Sequence, residues 1–229
     1  MCGRYTLSSP PADVAALFDL EEQPDLVQRY NVAPTQEAAV VRIAAPGAPR
    51  TLEPLRWGLV PYWAKEVSIG NRMINARSEG VAEKPAFRWS FRKARCLVPA
   101  DGFYEWKKEG KVKQPYLLRR RDRKPFAIAG LWSRWRDPEN RAAEPLLTFT
   151  LLTTTPNDLM RPLHDRMPVL LAREDFDLWL DPKVEDPARL EALLVPAPSE
   201  GWEAVPVSRA VNSPAYDGPG CIEPLVTEG

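Results

Sequence analysis

Twenty-five prolines punctuate the 229 residues from end to end. Proline in a helix interior costs about 3 kcal/mol, and inside a sheet it removes a ladder hydrogen bond. A chain interrupted this often is built from short elements. The apolar residues between the prolines fall mostly into short strand-like runs, as in the alternation of Leu55, Trp57 and Leu59. Strands are expected at Arg4–Leu7, Ala38–Ala44, Glu53–Val60, Cys96–Pro99, Phe103–Lys107, Tyr116–Arg119, Pro125–Gly130, Leu146–Thr153 and Ala204–Val207. Glu109-Gly110 reads as a hairpin turn, and Tyr30–Thr35 as a turn-rich stretch. Helices are expected after Ser9, with Ser9 as cap and Pro10 at the first position, and at Glu174–Leu180 and Pro187–Leu194. Many short strands with a few inserted helices predict an α+β fold: a single mixed domain around a curled, barrel-like sheet with peripheral helices.

Composition narrows the class. At 44% hydrophobic and 27% charged residues, a packed core is expected rather than disorder. No repeat, low-complexity tract or linker-like break divides the chain, so residues 1–229 are expected to form one domain. Lys plus Arg and Asp plus Glu both number 31, so any nucleic-acid-binding surface must be local. No apolar run is long enough to span a bilayer, and MCGRYTLSS lacks the layout of a secretory signal. Three scattered cysteines and one histidine argue against a disulfide framework or a structural zinc site. A cytoplasmic domain without cofactor or metal is expected, nucleoid-associated if the source is bacterial.

Several segments carry chemistry. Cys2 follows an initiator Met of the kind that is removed before a small residue. Removal would expose an α-amine with a pKa near ~7.7–8, against ~10.4 for Lys, beside a thiol on the same residue. Such a pair can condense with an aldehyde to an imine and then close a five-membered thiazolidine ring. By position alone, Cys2 reads first as an incidental small residue at a frayed terminus. Glu105 lies between Tyr104 and Trp106. Aromatic surroundings would raise its pKa toward that of a general acid/base, although strand alternation also permits a solvent-facing carboxylate. His164 sits in a proline-bounded loop with Arg161, Asp165 and Arg166. Asn75-Ala76-Arg77-Ser78-Glu79 reads as a polar loop entering a helix, with Ser78 a cap, Asn75 a hydrogen-bonding group and Arg77 a phosphate ligand. Tyr62 and Trp63 are placed to stack on bases or to join the core. The hydroxyls of Thr153-Thr154-Thr155 either meet phosphates or cap a turn.

Taken in order, Met-Cys-Gly-Arg-Tyr at the N-terminus, Asn-Val-Ala-Pro-Thr at 31–35, Arg-Trp-Gly-Leu-Val-Pro-Tyr-Trp at 56–63, Asn-Ala-Arg-Ser-Glu at 75–79, Pro-Ala-Asp-Gly-Phe-Tyr-Glu-Trp at 99–106 and His-Asp-Arg-Met-Pro at 164–168 resemble the SOS-response-associated peptidase family. The resemblance covers residues 2–170, with 171–229 expected to pack on the same domain. It implies recognition of abasic sites in single-stranded DNA and a covalent crosslink through Cys2 once Met1 is gone. By motif, Asn75 would orient the sugar, Glu105 would be the acid/base, and His164 would assist ring opening and crosslink reversal. Arg4, Arg77 and Arg166 would contact phosphates, with Ser78 and Thr153 beside them and Trp63 near the bases. The resemblance also implies a monomer without membrane attachment, contact with replication-fork proteins, and a peptidase activity that removes Met1. An N-terminal-nucleophile hydrolase, or a module that binds single strands without reacting, would use the same residues.

Overall fold

The computed structural model describes residues 2–225. In chain order its elements begin with β1 (Tyr5–Leu7), α1 (Pro11–Phe18), β2 (Arg29–Val32), β3 (Glu37–Ile43) and β4 (Arg50–Trp57). After a 3-10 turn at Val67–Arg72 come β5 (Asn75–Arg77), α2 (Arg88–Lys93), β6 (Arg95–Ala100), β7 (Gly102–Glu109) and β8 (Val112–Arg120). The remainder comprises β9 (Phe126–Trp135), β10 (Leu146–Thr154), β11 (Met167–Pro168), β12 (Leu170–Leu171), α3 (Phe176–Leu180), α4 (Pro187–Glu191) and β13 (Trp202–Pro206).

Five of these strands close a ring. β4 pairs with β3, β3 with β6, β6 with β9 and β9 with β10, all antiparallel; a parallel pairing of β10 with β4 completes it. Closure leaves no free edge within the ring. Proline is accommodated where the ladder is one-sided. Pro54 faces Ala39 of β3, while the β4–β10 pairing is confined to Arg56 and Trp57. Pro99 faces Ala127 of β9, and the β3–β6 pairing is confined to Leu97. Gly130 is required in β9, because a Cβ there would lie 2.9 Å from the Cys96 Sγ.

Period-two alternation divides the ring's side chains between two cores. Leu97, Ala129, Leu131 and Leu152 pack with Val14 and Phe18 of α1, Phe91 of α2, Phe176 and Trp179 of α3, and Leu190 of α4. Cys96, Val98, Ile128, Phe149 and Leu151 pack with Tyr5, Phe103 and Leu118 of a second sheet, ordered β13-β8-β7-β1-β2. The fold is therefore the expected α+β arrangement, a single mixed domain around a barrel with helices at its periphery.

Local departures from the sequence expectations have physical causes. Ser9 does not cap α1: Pro10 stands at the cap and Pro11 opens the helix, while the Ser9 hydroxyl donates to Asp101 Oδ1 (2.5 Å). Tyr30–Val32 is strand rather than turn; the turn is confined to Ala33–Gln36, with Thr35 at φ 73°. Asn75–Arg77 does not lead into a helix capped by Ser78. It forms β5, parallel to β10, and the Ser78 amide donates to the Thr153 carbonyl (2.8 Å). No helix among the described residues is long and apolar enough to cross a membrane.

Candidate active site

The second sheet carries the N-terminal strand to the site. Tyr5 and Thr6 of β1 pair with Phe103 and Gly102 of β7, and the Tyr104 amide donates to the Arg4 carbonyl (3.0 Å). Extending that register sets Gly3 opposite Glu105, so Cys2 is delivered beside the only carboxylate in the Phe103–Trp106 run. Cys2 is fully buried, in the core that holds Tyr5, Trp57 and Cys96. Its thiol donates to the Arg4 carbonyl (3.7 Å), and its own carbonyl accepts from Asn75 Nδ2 (2.8 Å). That last bond ties β5 directly to the N-terminal strand. Asn75 Oδ1 is buried and has no hydrogen-bond partner among the described residues.

Burial governs the electrostatics. Glu105 is 3% exposed, and loss of solvation pushes its carboxyl up to about 7; the charge of Asp165 adds to the rise. Burial also pushes the Cys2 thiol far above the ordinary range, and the charge of Glu105 raises it further. The thiol is therefore protonated at neutral pH. His164 is partly buried and titrates below the usual histidine value, chiefly because burial penalises the imidazolium. The neutral ring accepts the Arg166 amide at Nδ1 (3.0 Å), which assigns its proton to Nε2. Asp165 Oδ1 lies 2.8 Å from the same Nδ1, so it becomes an ion-pair partner only when the ring is charged. Mutual electrostatic effects link Cys2 to Glu105 and Glu105 to Asp165, which brings three separate segments of chain to one place.

The residues expected to contact DNA divide into two groups. Arg77 is exposed at the end of β5, Ser78 beside it is half-buried, and Trp63 is 48% exposed. The others are engaged within the protein. Thr153 is fully buried with its hydroxyl on the Ala76 carbonyl (3.5 Å), so it holds β5 against β10 rather than facing a phosphate. Arg166 makes a two-pronged pair with Glu79 (2.6 and 2.8 Å) and also donates to the Thr153 carbonyl (2.6 Å). Arg4 reaches Asn31 Oδ1 (2.8 Å) and the Val211 carbonyl (2.7 Å), which makes it a brace between β1 and the C-terminal segment.

Sequence reasoning missed two features. Tyr5 is 1% exposed, and its phenol oxygen has no hydrogen-bond partner among the described residues. A lone aromatic in a strand gives no signal of a polar role. The second is Asp217, whose carboxylate accepts the amides of Tyr30 (2.5 Å) and Asn31 (2.8 Å) and pairs with Arg29. Among the described residues, no group of three or more His, Cys, Asp and Glu side chains gathers as a metal site.

Comparison with known proteins places the chain in a family. The chain is 44% identical to the abasic site processing protein YoqW of Bacillus subtilis, over 97% of this chain and 99% of that one. It is 32% identical to the abasic site processing protein YedK of Escherichia coli, over 98% and 100%. A crystal structure of a protein from Bacteroides thetaiotaomicron superposes with a TM-score of 0.85 at 28% identity, covering 98% of this chain and all of the other. The family profile described as SOS response associated peptidase (SRAP) matches residues 1–214. The chain belongs to the SOS response associated peptidase family.

Proposed function

We propose that this protein captures abasic sites in single-stranded DNA as a thiazolidine on Cys2, after loss of Met1, and so shields the lesion from strand cleavage. The observation that carries the reading is the burial of Cys2 at the end of a strand whose register sets Gly3 opposite the buried Glu105, with burial raising both the thiol and the carboxyl. A thiol held protonated is a poor opening nucleophile. An amine-first sequence suits it better, and that is the order an aldehyde substrate demands. The bacterial relatives, both abasic site processing proteins, point to the same substrate.

In this scheme the amine of Cys2 adds to C1′ of the ring-opened sugar to give a carbinolamine. Glu105, protonated over much of the neutral range, gives its proton to the departing hydroxyl, and water leaves as the imine forms. The imine keeps the amine's remaining proton, so when the thiol adds to C1′ its own proton goes to the Glu105 carboxylate, which leaves the closed ring neutral and the acid restored. Closure removes the imine that β-elimination needs. Asn75 orients the sugar through its unpartnered Oδ1, His164 assists ring opening and reversal, and Arg77 and Trp63 hold the strand. Removal of Met1 is assigned to the chain's own peptidase-like activity. A cysteine hydrolase that opens with a thiolate is disfavoured by the same burial.

The test is a denaturing gel of the purified protein mixed with a single strand bearing one abasic site, with intact mass to establish loss of Met1. A slower band is expected, absent from Cys2→Ala. Glu105→Gln should bind the strand normally but crosslink about 10²- to 10⁴-fold more slowly, the usual contribution of a general acid. Equal adduct from Cys2→Ala would sink the proposal.

A further inference from the structure

Of the four exposed aromatic side chains among the described residues, Tyr62 (66% exposed) and Trp63 (48%) are neighbours in one loop, and Trp89 (51%) stands against Tyr62. Tyr62 and Trp89 meet edge to face, their centroids 6.4 Å apart. Trp89 belongs to α2, whose inner face is Ser90 and Phe91 and whose outer face carries exposed Arg88, Arg92 and Lys93. Lys93 is paired with Glu185, whereas Arg88 and Arg92 have no acidic partner among the described residues. In a chain with no net charge, two unpaired guanidinium groups beside three wetted aromatic rings are a local departure from the average surface.

We propose that α2 and the 61–63 loop form a second nucleic-acid platform, which takes bases and phosphates of the single strand flanking the lesion. The proposal rests on the reading of the site as one for single-stranded DNA. Aromatic rings stack on any base, and basic groups interleaved with them track the backbone, which is the usual chemistry of sequence-tolerant strand binding. Arg88 and Arg92, one helical turn apart, stand about 6 Å from each other along the axis. That is comparable to the spacing of neighbouring phosphates in an extended strand. The Leu59 amide, just before the 61–63 loop, donates to the Met73 carbonyl (3.1 Å), just before β5. The 61–63 loop and α2 flank β5 in sequence, and β5 supplies Asn75, the partner of the Cys2 carbonyl.

The experiment compares two fluorescein-labelled single strands carrying an abasic site: a short one covering the lesion and its nearest neighbours, and one extended on both sides. An intact long strand serves as a third probe. Trp89→Ala should weaken binding of both long strands about 5- to 100-fold, as expected for loss of one stacked base. Its binding and crosslinking of the short strand should be unchanged, with an unchanged Tm. Arg88→Ala/Arg92→Ala should reduce the slope of log K against log salt on long strands by about 1.4, or two single-strand phosphate contacts. Wild-type affinity of the variants for long strands would overturn the platform, as would equal losses on short and long strands. So would a concentration-dependent dimer, or capture of a protein, that Trp89→Ala abolishes while DNA binding persists. Should the wild type form no adduct, the reading of Cys2 falls, while the intact long strand still tests the platform.

Discussion

Glu105 sits where its ionised form is poorly solvated, so the folded chain binds its proton more tightly than the unfolded chain does. With a folded pKa of about 7 above an unfolded value near ~4.3, the fold is most stable, as far as this group is concerned, below the lower figure. That contribution is lost as pH rises through the folded pKa. Glu105→Gln is therefore expected to raise Tm by several degrees at pH 8. The gain should vanish near pH 4, and thermal scans across that range check it. Loss of activity joined to a gain of stability would mark a group kept for chemistry. Glu105 was legible in the sequence because a carboxylate between two aromatics is unusual. The Tyr5 phenol and the Asp217 carboxylate were not, since their roles are fixed by partners distant in sequence.

Among the elements, α2 was invisible to pattern reading for a reason the structure supplies. It spans six residues, buries only Ser90 and Phe91, and has no side-chain cap at its start. Its stability comes from outside. The guanidinium of Arg95, 3% exposed, donates to the carbonyls of Phe91 (2.7 Å) and Arg92 (2.5 Å) at the end of α2, and to those of Trp179 and Asp181 at the end of α3. One buried cation thus satisfies four carbonyls at the ends of two helices that lack intrahelical partners for them. Arg95→Met keeps the length of the side chain but leaves those acceptors unsatisfied, at an expected cost of about 3 kcal/mol or more. Chemical denaturation measures that loss directly. Should the platform on α2 bind DNA, the same variant should also weaken binding to long strands. The strands, by contrast, were largely readable, because alternation and proline punctuation mark each one locally. The misreadings at Ser9 and Ser78 share one cause, in that groups remote in sequence, the Asp101 carboxylate and the Thr153 carbonyl, engage them instead.

At the scale of the molecule, the C-terminal residues hold the N-terminal strand in place. Asn31 Nδ2 donates to the carbonyls of Val211, Ser213 (3.0 Å) and Tyr216 (2.8 Å), Arg4 reaches Val211, and Asp217 grips Arg29, Tyr30 and Asn31. The motifs past residue 170 were the least telling in the sequence, yet this segment braces β1 and β2 at the site. Asp217→Ala is expected to lower Tm by several degrees. It should slow crosslinking even on short strands, because Cys2 would lose its fixed position opposite β7. A gel time course beside a thermal scan distinguishes that outcome from a purely structural loss. The clamp also imposes an order on biogenesis. Residue 217 is made long after residue 2, so at about 5–20 residues per second some 10–40 s separate them. For that interval the amino end is unclamped, so the chain's own removal of Met1 begins only once residues 211–217 have closed on β2 and Arg4.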